Sequence, residues 1–404
     1  MMFLEAMAAV LLGCFAGIFT GLIPGVHINL VSLLLVSSSG YLLGFTQPII
    51  LGIFIVSMAV THTFLDAVPS IFLGAPDADT VLSVLPGHRL LLEGKGYEAV
   101  KLTVIGSLLS LLLVIAIIPF SLSFVPFLYS HIQPYIGWIL IIVSAFMIIK
   151  ETGWDKRFWG FFVFVISGVL GLLVLTWPNL NQPLFPLLSG LFGLSTLLIS
   201  LKDNVEIPKQ FITESISIPK WKSTRAILGA TVTGSVTGLL PGLGSAQAAI
   251  IAMQFVGKLG MYAFLVLIGG INTVNFVFSL VAFYTLEKAR NGAVVAMQEI
   301  LKSIDMNGLV MFLGASLIAG GIATLLTLYI SKLFSQWITK IKYKQLVSGV
   351  AIFITLLVFY FSSWYGLLIL VTSTAVGMIP ALLGVKRSLA MGCLILPVIL
   401  FFML

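Results

Sequence analysis

Long apolar runs separated by short polar interruptions dominate this chain, and most runs are close to the roughly 20 residues a helix needs to cross a bilayer. In the first half they cover 4–22, 27–45, 47–66, 97–121, 134–150, 156–176 and 182–201. In the second they cover 223–240, 243–258, 260–286, 306–331, 346–361, 363–384 and 389–404. The runs are continuously apolar, which predicts spanning helices; barrel strands would alternate apolar and polar residues. Residues 67–94 break the pattern with Pro69, Gly74, Pro76, Pro86 and Gly87, and their two arms are too short to span singly. They predict a re-entrant hairpin or a pair of half-helices. Irregular backbone at membrane depth is tolerated only where protein or a water-filled cavity covers it, so this stretch is a candidate cavity lining. Residues 202–222 form the one clearly hydrophilic linker, and 287–302, polar and then amphipathic, stand where the first half has its hairpin. The expected organisation is a first membrane repeat (1–201), a cytoplasmic linker (202–222) and a second membrane repeat (223–404).

Composition excludes a soluble protein. Hydrophobic residues make up 59% of the chain and charged residues 9%, against about 25% charged in a soluble domain. The fold class is all-α polytopic membrane protein with about 10–14 transmembrane segments. The net charge of +7 is assigned to cytoplasmic loops rather than to nucleic-acid binding. Cys14 and Cys393 both lie inside apolar runs, so neither a disulfide framework nor a metal cluster is implied. The start of the chain lacks a basic n-region, and the first run is expected to be a retained helix, not a cleaved signal.

A motif is written twice. Gly17-Ile-Phe-Thr20-Gly21-Leu22-Ile-Pro24-Gly25 recurs as Gly234-Ser-Val-Thr237-Gly238-Leu239-Leu-Pro241-Gly242, with six of nine positions identical. Proline removes a backbone donor and glycine relaxes backbone geometry, so each copy predicts a broken helix. The N–H groups freed at the next half-helix attract anions, and the carbonyls freed at the preceding one can hold a cation. Short polar patches follow each break: His27 and Asn29 after the first, Gly244, Ser245 and Gln247 after the second. Paired Gly/Pro interruptions in corresponding segments are a sequence pointer to a secondary-transporter site. Close packing of helices through small residues is the alternative reading.

Charge placement bears on how the halves are related. Basic residues gather around Arg89, Lys95 and Lys101, around Lys150, Lys156 and Arg157, and at 202–225. In the second half they gather at 332–344 and at Lys386 and Arg387, whose counterparts 122–133 and 177–181 carry no Lys or Arg. The positive-inside rule then sets equivalent loops on opposite sides, predicting inverted repeats with both termini outside. Lys288, Arg290 and Lys302 fit less well, since this scheme puts them outside; Glu287, Glu299 and Asp305 dilute the objection.

Ionisable and amide groups inside the runs complete the candidate set. His62 and Asp66 are four apart and share a helix face. An ionisable group within a span is a functional hypothesis by default, here a proton or cation site. Alternatively, Asp66 lies at the interface and caps the hairpin. In the second half, Asn272 aligns with His62 if the His-Thr and Asn-Thr pairs are matched, and Asn272 and Asn275 can face one cavity. Asp77 and Asp79 are read as solvated at a hairpin tip, and His88 and His131 as loop residues with no special role.

The repeated Thr-Gly-Leu-hydrophobic-Pro-Gly pattern resembles the large permease subunit of tripartite tricarboxylate transporters, the TctA family. So do Pro69-Ser70-Ile71-Phe72-Leu73-Gly74-Ala75-Pro76, then Pro86 and Gly94-Lys95-Gly96, and Arg290-Asn291-Gly292-Ala293, which is similar to an Arg-Ser-Gly-Ala element. The resemblance covers nearly the whole chain, as a compact variant similar to the archaeal branch. It implies Na⁺- or H⁺-coupled uptake of a small organic anion such as a carboxylate across the cytoplasmic membrane, by an elevator-like movement. The positions it carries over are Thr20, Gly21, Pro24, Gly25, Gly74, Pro76, Thr237, Gly238, Pro241 and Gly242. It also implies a small membrane subunit and an extracytoplasmic binding protein as partners, and a homodimer among membrane lipids is expected. Asp77 and Asp79 stand where small residues are usual in the family, which weighs against a tricarboxylate. No cofactor is expected beyond the coupling ion.

Two other classes compete. An intramembrane enzyme would show His-Glu-x-x-His, Gly-x-Ser-x-Gly or Gly-x-Gly-Asp, and none of these occurs. A lipid-phosphate flippase would place Arg or Lys in a lateral groove, whereas here every one falls in a loop or at a segment end.

Overall fold

The computed structural model describes residues 2–23, 28–74, 80, 82, 84–178, 180, 182–200, 208–212, 216, 218–240, 244–338 and 343–404. Among these residues every regular element is helical. In the first half they are α1 (Met2–Leu22), α2 (Ile28–Leu42), α3 (Pro48–Leu65), α4 (Ala67–Phe72), α5 (Val84–Leu92), α6 (Gly96–Ser121), α7 (Val125–Ile132), α8 (Ile136–Ile149), α9 (Trp154–Leu175), α10 (Leu184–Leu188) and α11 (Ser195–Ser200). A π-helical turn, Ser189–Leu194, joins the last two. The second half holds α12 (Lys220–Leu239), α13 (Ser245–Phe255), α14 (Gly260–Leu286), α15 (Gly292–Leu301), α16 (Met306–Ile338), α17 (Tyr343–Leu383) and α18 (Gly392–Met403).

Eight helical stretches among the described residues are long and apolar enough to cross a membrane, with Leu184–Ile199, Gly292–Leu301 and Arg387–Met403 as shorter apolar helices. The chain is an all-α polytopic membrane protein. Several expected spans differ in detail. Those at 27–45 and 243–258 are the short helices α2 and α13, of 15 and 11 residues. The spans expected at 346–361 and 363–384 are the two arms of α17, which meet at a kink where Ser363 takes the non-helical φ 53° and ψ −152°. In the hairpin, the first arm is α4, which continues α3 through a bend at Asp66 into one apolar run, Pro48–Phe72. His88 and His131 are not loop residues. His88 is buried on α5 with Nδ1 3.3 Å from the Ile71 carbonyl, and His131 lies exposed on α7.

Glycines set the helix contacts. Lipid tails are as apolar as leucine, so helices associate through close van der Waals approach, which small residues permit. On α1, Gly13 faces Phe54 and Ser57, Gly17 faces Met58 and Thr61, and Gly21 faces His62 and Leu65 of α3, so the two helices run parallel. On α12, Gly234 faces Ile271 and Val274, and Gly238 faces Asn275 and Phe278, so α12 and α14 also run parallel. Phe312 packs on Gly52 and Phe334 against Phe72, which sets α16 parallel to α3 and α4. Gly96 abuts Phe72, and Leu111 abuts Gly320, so α6 runs against α16. Lys95 lies over the Tyr262 ring and Ser110 beside Gly270, so α14 follows α6. Helices α1, α3 and α16 therefore point one way, and α6, α12 and α14 the other.

The remaining helices show a reciprocal pair of contacts. Gly190 lies against the Leu370 carbonyl and Ser373, and Gly377 against the Leu191 carbonyl. Gly392 lies against the Phe164 carbonyl and Ser167, and Gly171 against the Cys393 carbonyl. Thus the last segment of the first half packs on α17, and the last helix of the second half packs on α9.

Buried apolar side chains fall into two clusters. One is built mainly from α1, α3–α6, α12 and α14–α16, and takes in Ala248, Ala249 and Ala252 of α13. The other is built from α8, α9, the π-helical turn, α13, α18 and the far end of α17. Helix α17 contributes to both: Val347, Val350, Ile354, Val358 and Leu370 enter the first, and Ile369, Val376 and Ile379 the second. The linker is less detached than its composition suggests. Gln210 is buried, accepting from the Gly96 N–H at 2.9 Å and donating to the Leu91 carbonyl at 2.9 Å, while the Phe211 N–H donates to the Gly94 carbonyl. It pins the end of the hairpin's second arm to the start of α6.

Candidate functional site

The polar residues of the interior meet where α3 crosses α14. Thr63 and Thr273 hydroxyls lie 3.1 Å apart at the crossing. One turn on, Asp66 sits at the bend between α3 and α4 and is 3% exposed. Asn272 Nδ2 donates to Asp66 Oδ2 at 2.6 Å and reaches the Thr63 carbonyl at 3.4 Å. His62 Nε2 is 3.9 Å from the same carboxylate oxygen, with both side chains buried. The Ser70 hydroxyl donates to the Asp66 backbone carbonyl at 2.9 Å and lies 2.6 Å from Thr80 Oγ1. Asp66 is thus enclosed by protein, and although it stands at the N-cap position of α4 its side chain makes no capping hydrogen bond. A carboxylate so far from water is costly unless partners hold it, and an amide donor to the charged form is such a partner.

The second half supplies a matching cluster. Asn275 Nδ2 donates to Thr237 Oγ1 at 2.9 Å, and Thr237 donates in turn to the Thr233 carbonyl at 2.9 Å. Asn291 Nδ2 donates to Ser279 Oγ at 2.7 Å, and its own Oδ1 caps α15 through the Val294 N–H. The helix contacts correct the expected register. Gly21 rests on the His62 carbonyl and Leu65, and Gly238 on the Asn275 carbonyl and Phe278. His62 therefore corresponds to Asn275, not Asn272, and Asp66 corresponds to Ser279. Matching the His-Thr and Asn-Thr pairs misplaces α14 by most of a turn, because glycine packing sets the register.

The two motif stems are drawn together through this cluster. Thr20 is buried and its hydroxyl donates to the Gly17 carbonyl, as Thr237 does to Gly234, at 3.3 Å in each. Gly21 touches the Asp66 turn, Asp66 holds Asn272, and Asn275 one turn along α14 holds Thr237. Beyond the second break, the Gly244 N–H donates to Gln247 Oε1 at 3.1 Å, so Gln247 caps its own helix α13; Ser245 is buried beside it. Gly74 stands apart from the crossing, ending α4 at φ +63° against Leu197. Pro24, Gly25, His27, Pro76, Asp77, Asp79, Pro241 and Gly242 lie outside the described residues, as does the Asn29 side chain, although Asn29 itself is on α2. Thr63, Thr273, Ser70 and Ser279 were not among the candidates. A hydroxyl inside an apolar run commonly bonds its own helix, so no local pattern distinguishes one that reaches across to another.

A profile of the tripartite tricarboxylate transporter TctA family matches residues 7–392. The chain belongs to the TctA family. An uncharacterized protein of Methanocaldococcus jannaschii is 31% identical over 405 residues, covering 97% of this chain and 98% of its own. No solved structure matches this chain. As a TctA-family protein with many apolar helices, it is a multi-pass membrane protein and a component of a membrane transporter. Residues 17–23 and 234–240, the described parts of the doubled motif, pack on α3 and α14, the two helices that cross at Thr63 and Thr273.

Proposed function

We propose that this TctA-family protein is a secondary active transporter that moves an organic anion, a carboxylate, across the cytoplasmic membrane with Na⁺ or H⁺ coupling. The observation that carries this reading is the convergence of both motif stems on the buried Asp66–Asn272 pair and the partly buried Thr237–Asn275 pair. Intramembrane ionisable residues mark ion pathways, and paired broken helices mark substrate sites. Asp66 and His62 serve the coupling ion, and the N–H groups after each break serve the anion. The opposite directions of α1, α3 and α6 relative to α12, α14 and α16 support an inverted repeat of 1–201 and 223–404. Two apolar clusters that share α13 and α17 support an elevator-type movement of one against the other. A small membrane subunit, an extracytoplasmic binding protein and a second copy of the chain complete the assembly in this reading.

Two expected results test it. In proteoliposomes, Pro241→Ala or Gly242→Ala abolishes organic-anion uptake while membrane insertion is unchanged; normal uptake by either variant removes the motif from the site. Single cysteines at 340 and 128 label from opposite faces of the membrane, and labelling from one face would end the inverted-repeat reading. A thermal-shift series of mono-, di- and tricarboxylates, with and without Na⁺, identifies the anion class and the coupling ion.

A further inference from the structure

We infer that a cavity beyond the end of α17 binds an amphipathic organic anion, one carboxylate or phosphate on an apolar body, with Arg387 as its anchor. The cavity measures about 580 Å³, within the range of sites that enclose small molecules. Its walls come from distant parts of the chain: Leu82 and Pro86 from the hairpin, Phe192 from the π-helical turn, Phe264 from the start of α14, and Pro380 from α17. All of these are apolar. The polar lining is Thr196 and the consecutive residues Lys386, Arg387 and Ser388.

The charges are unequal in their partners. Lys386 Nζ is 2.9 Å from the buried Glu151 carboxylate, so that cation is already neutralised. Lys156 is exposed, with its Nζ close to Gly384 at the rim, where water screens it. Arg387 is half-buried and donates to Thr196 Oγ1, a neutral partner. Among the described residues no carboxylate lies within ion-pair distance of it. Burial pulls its guanidinium below the ordinary arginine range, the mark of a cation taken from water without an anion beside it. A ligand carboxylate or phosphate offsets that cost, and the guanidinium fork suits either group bidentately. Since Arg387 is the one lining cation that is desolvated and lacks a carboxylate partner among the described residues, and most of the remaining lining is apolar, the cavity fits one anionic head. The other carboxylates of citrate would be pressed against Leu82, Phe192 and Phe264, where charge is poorly tolerated.

As a cargo site this rests on the transporter reading, and binding and uptake are therefore measured separately. Full-length protein in phosphatidylcholine nanodiscs is titrated by calorimetry with phenylacetate, hexanoate, citrate and inorganic phosphate. Phenylacetate and hexanoate are expected to bind, and Arg387→Gln to weaken them about tenfold or more. Citrate is expected to bind more weakly, without dependence on Arg387. Equal phenylacetate affinity in the wild type and Arg387→Gln, or citrate binding tightest through Arg387, overturns the inference. Arg387→Lys keeps the charge and loses the fork; its intermediate affinity, at an unchanged melting temperature, separates anion binding from loss of fold. Phosphatidylglycerol nanodiscs distinguish the sources of the anion. Competition that depends on Arg387 assigns the cavity to a lipid headgroup, and unchanged phenylacetate binding assigns it to a free acid. Uptake of radiolabelled phenylacetate without Arg387-dependent binding overturns this site and leaves the transporter reading intact. Arg387-dependent binding with no uptake of any organic anion does the reverse.

Discussion

Asp66→Asn is expected to lose ion-coupled uptake by about a hundredfold or more while the protein remains folded. The substitution keeps the shape of the side chain and removes its charge. Asp66 is 3% exposed and receives the Asn272 amide at 2.6 Å, with His62 beside the same oxygen. A buried charge stabilised in this way is a poor contributor to stability, since desolvation consumes most of the attraction. An ion-binding role therefore predicts a melting temperature that is retained or raised, together with lost transport. A purely structural role predicts the opposite pair of changes. The expected loss corresponds to about 3 kcal/mol at one coupling step, the usual cost of removing one partner of a buried charged pair. Asn272→Ala should fall in the same direction and also lower stability, because it leaves the carboxylate without its amide donor. Uptake at several Na⁺ concentrations and pH values identifies the ion: the dependence that flattens in Asp66→Asn is the one Asp66 serves. Undiminished, still ion-dependent uptake by Asp66→Asn would remove the carboxylate from the coupling mechanism.

The sequence makes the outline of this site readable because breaks and charges are local signals. A Gly–Pro interruption is visible wherever it falls, and the doubling of Thr-Gly-Leu-x-Pro-Gly singles out Thr20 and Thr237. Asp66 and His62 stood out for the same reason, as ionisable groups in an apolar run. What the sequence does not carry is register between helices. That His62 corresponds to Asn275 follows from which carbonyl a glycine rests on, and no residue pattern in α3 or α14 encodes it. The docking of Gln210 is hidden differently: an amide in a hydrophilic linker reads as solvated, although it binds two backbone groups of the hairpin turn and the start of α6. Ser363 is a case the sequence does carry: the uncharged stretch at 361–364 reads as a connection between two spans, and the non-helical backbone of Ser363 separates the two arms of α17 there. By charge placement alone, Arg387 is one more basic loop residue. Its burial against Thr196 depends on how α11 meets the end of α17, which composition cannot express.

Gly171→Ala and Gly377→Ala are each expected to destabilise the protein by about 2–3 kcal/mol, through one contact used twice. A Cβ at Gly171 would stand 2.6 Å from the Cys393 carbonyl carbon and 2.7 Å from its Cα. At Gly377 it would stand 2.6 Å from the Leu191 carbonyl carbon and 2.7 Å from its Cα. In both cases the obstacle is backbone within a helix or helical turn, which cannot turn aside as a side chain can, so the packed elements must separate. In a bilayer that separation forfeits the close contact holding them together, with no hydrophobic gain to replace it. The comparison that isolates the effect is Gly314→Ala and Gly349→Ala, where an added Cβ meets nothing within 4 Å. There alanine's better helix propensity should leave stability unchanged or slightly raised. Thermal unfolding of the four purified variants, followed by fluorescence-detected size exclusion, should show two lowered transitions and two near the wild type. Similar losses at Gly171 and Gly377 would mean that α9–α18 and α17 with the π-helical turn are the same joint, made once by each half. A loss at one position alone would show that the joints differ in strength and weaken the case for a duplicated design. Wild-type melting by both variants would mean the helices can part freely there, and the close approach would have no part in holding the fold together.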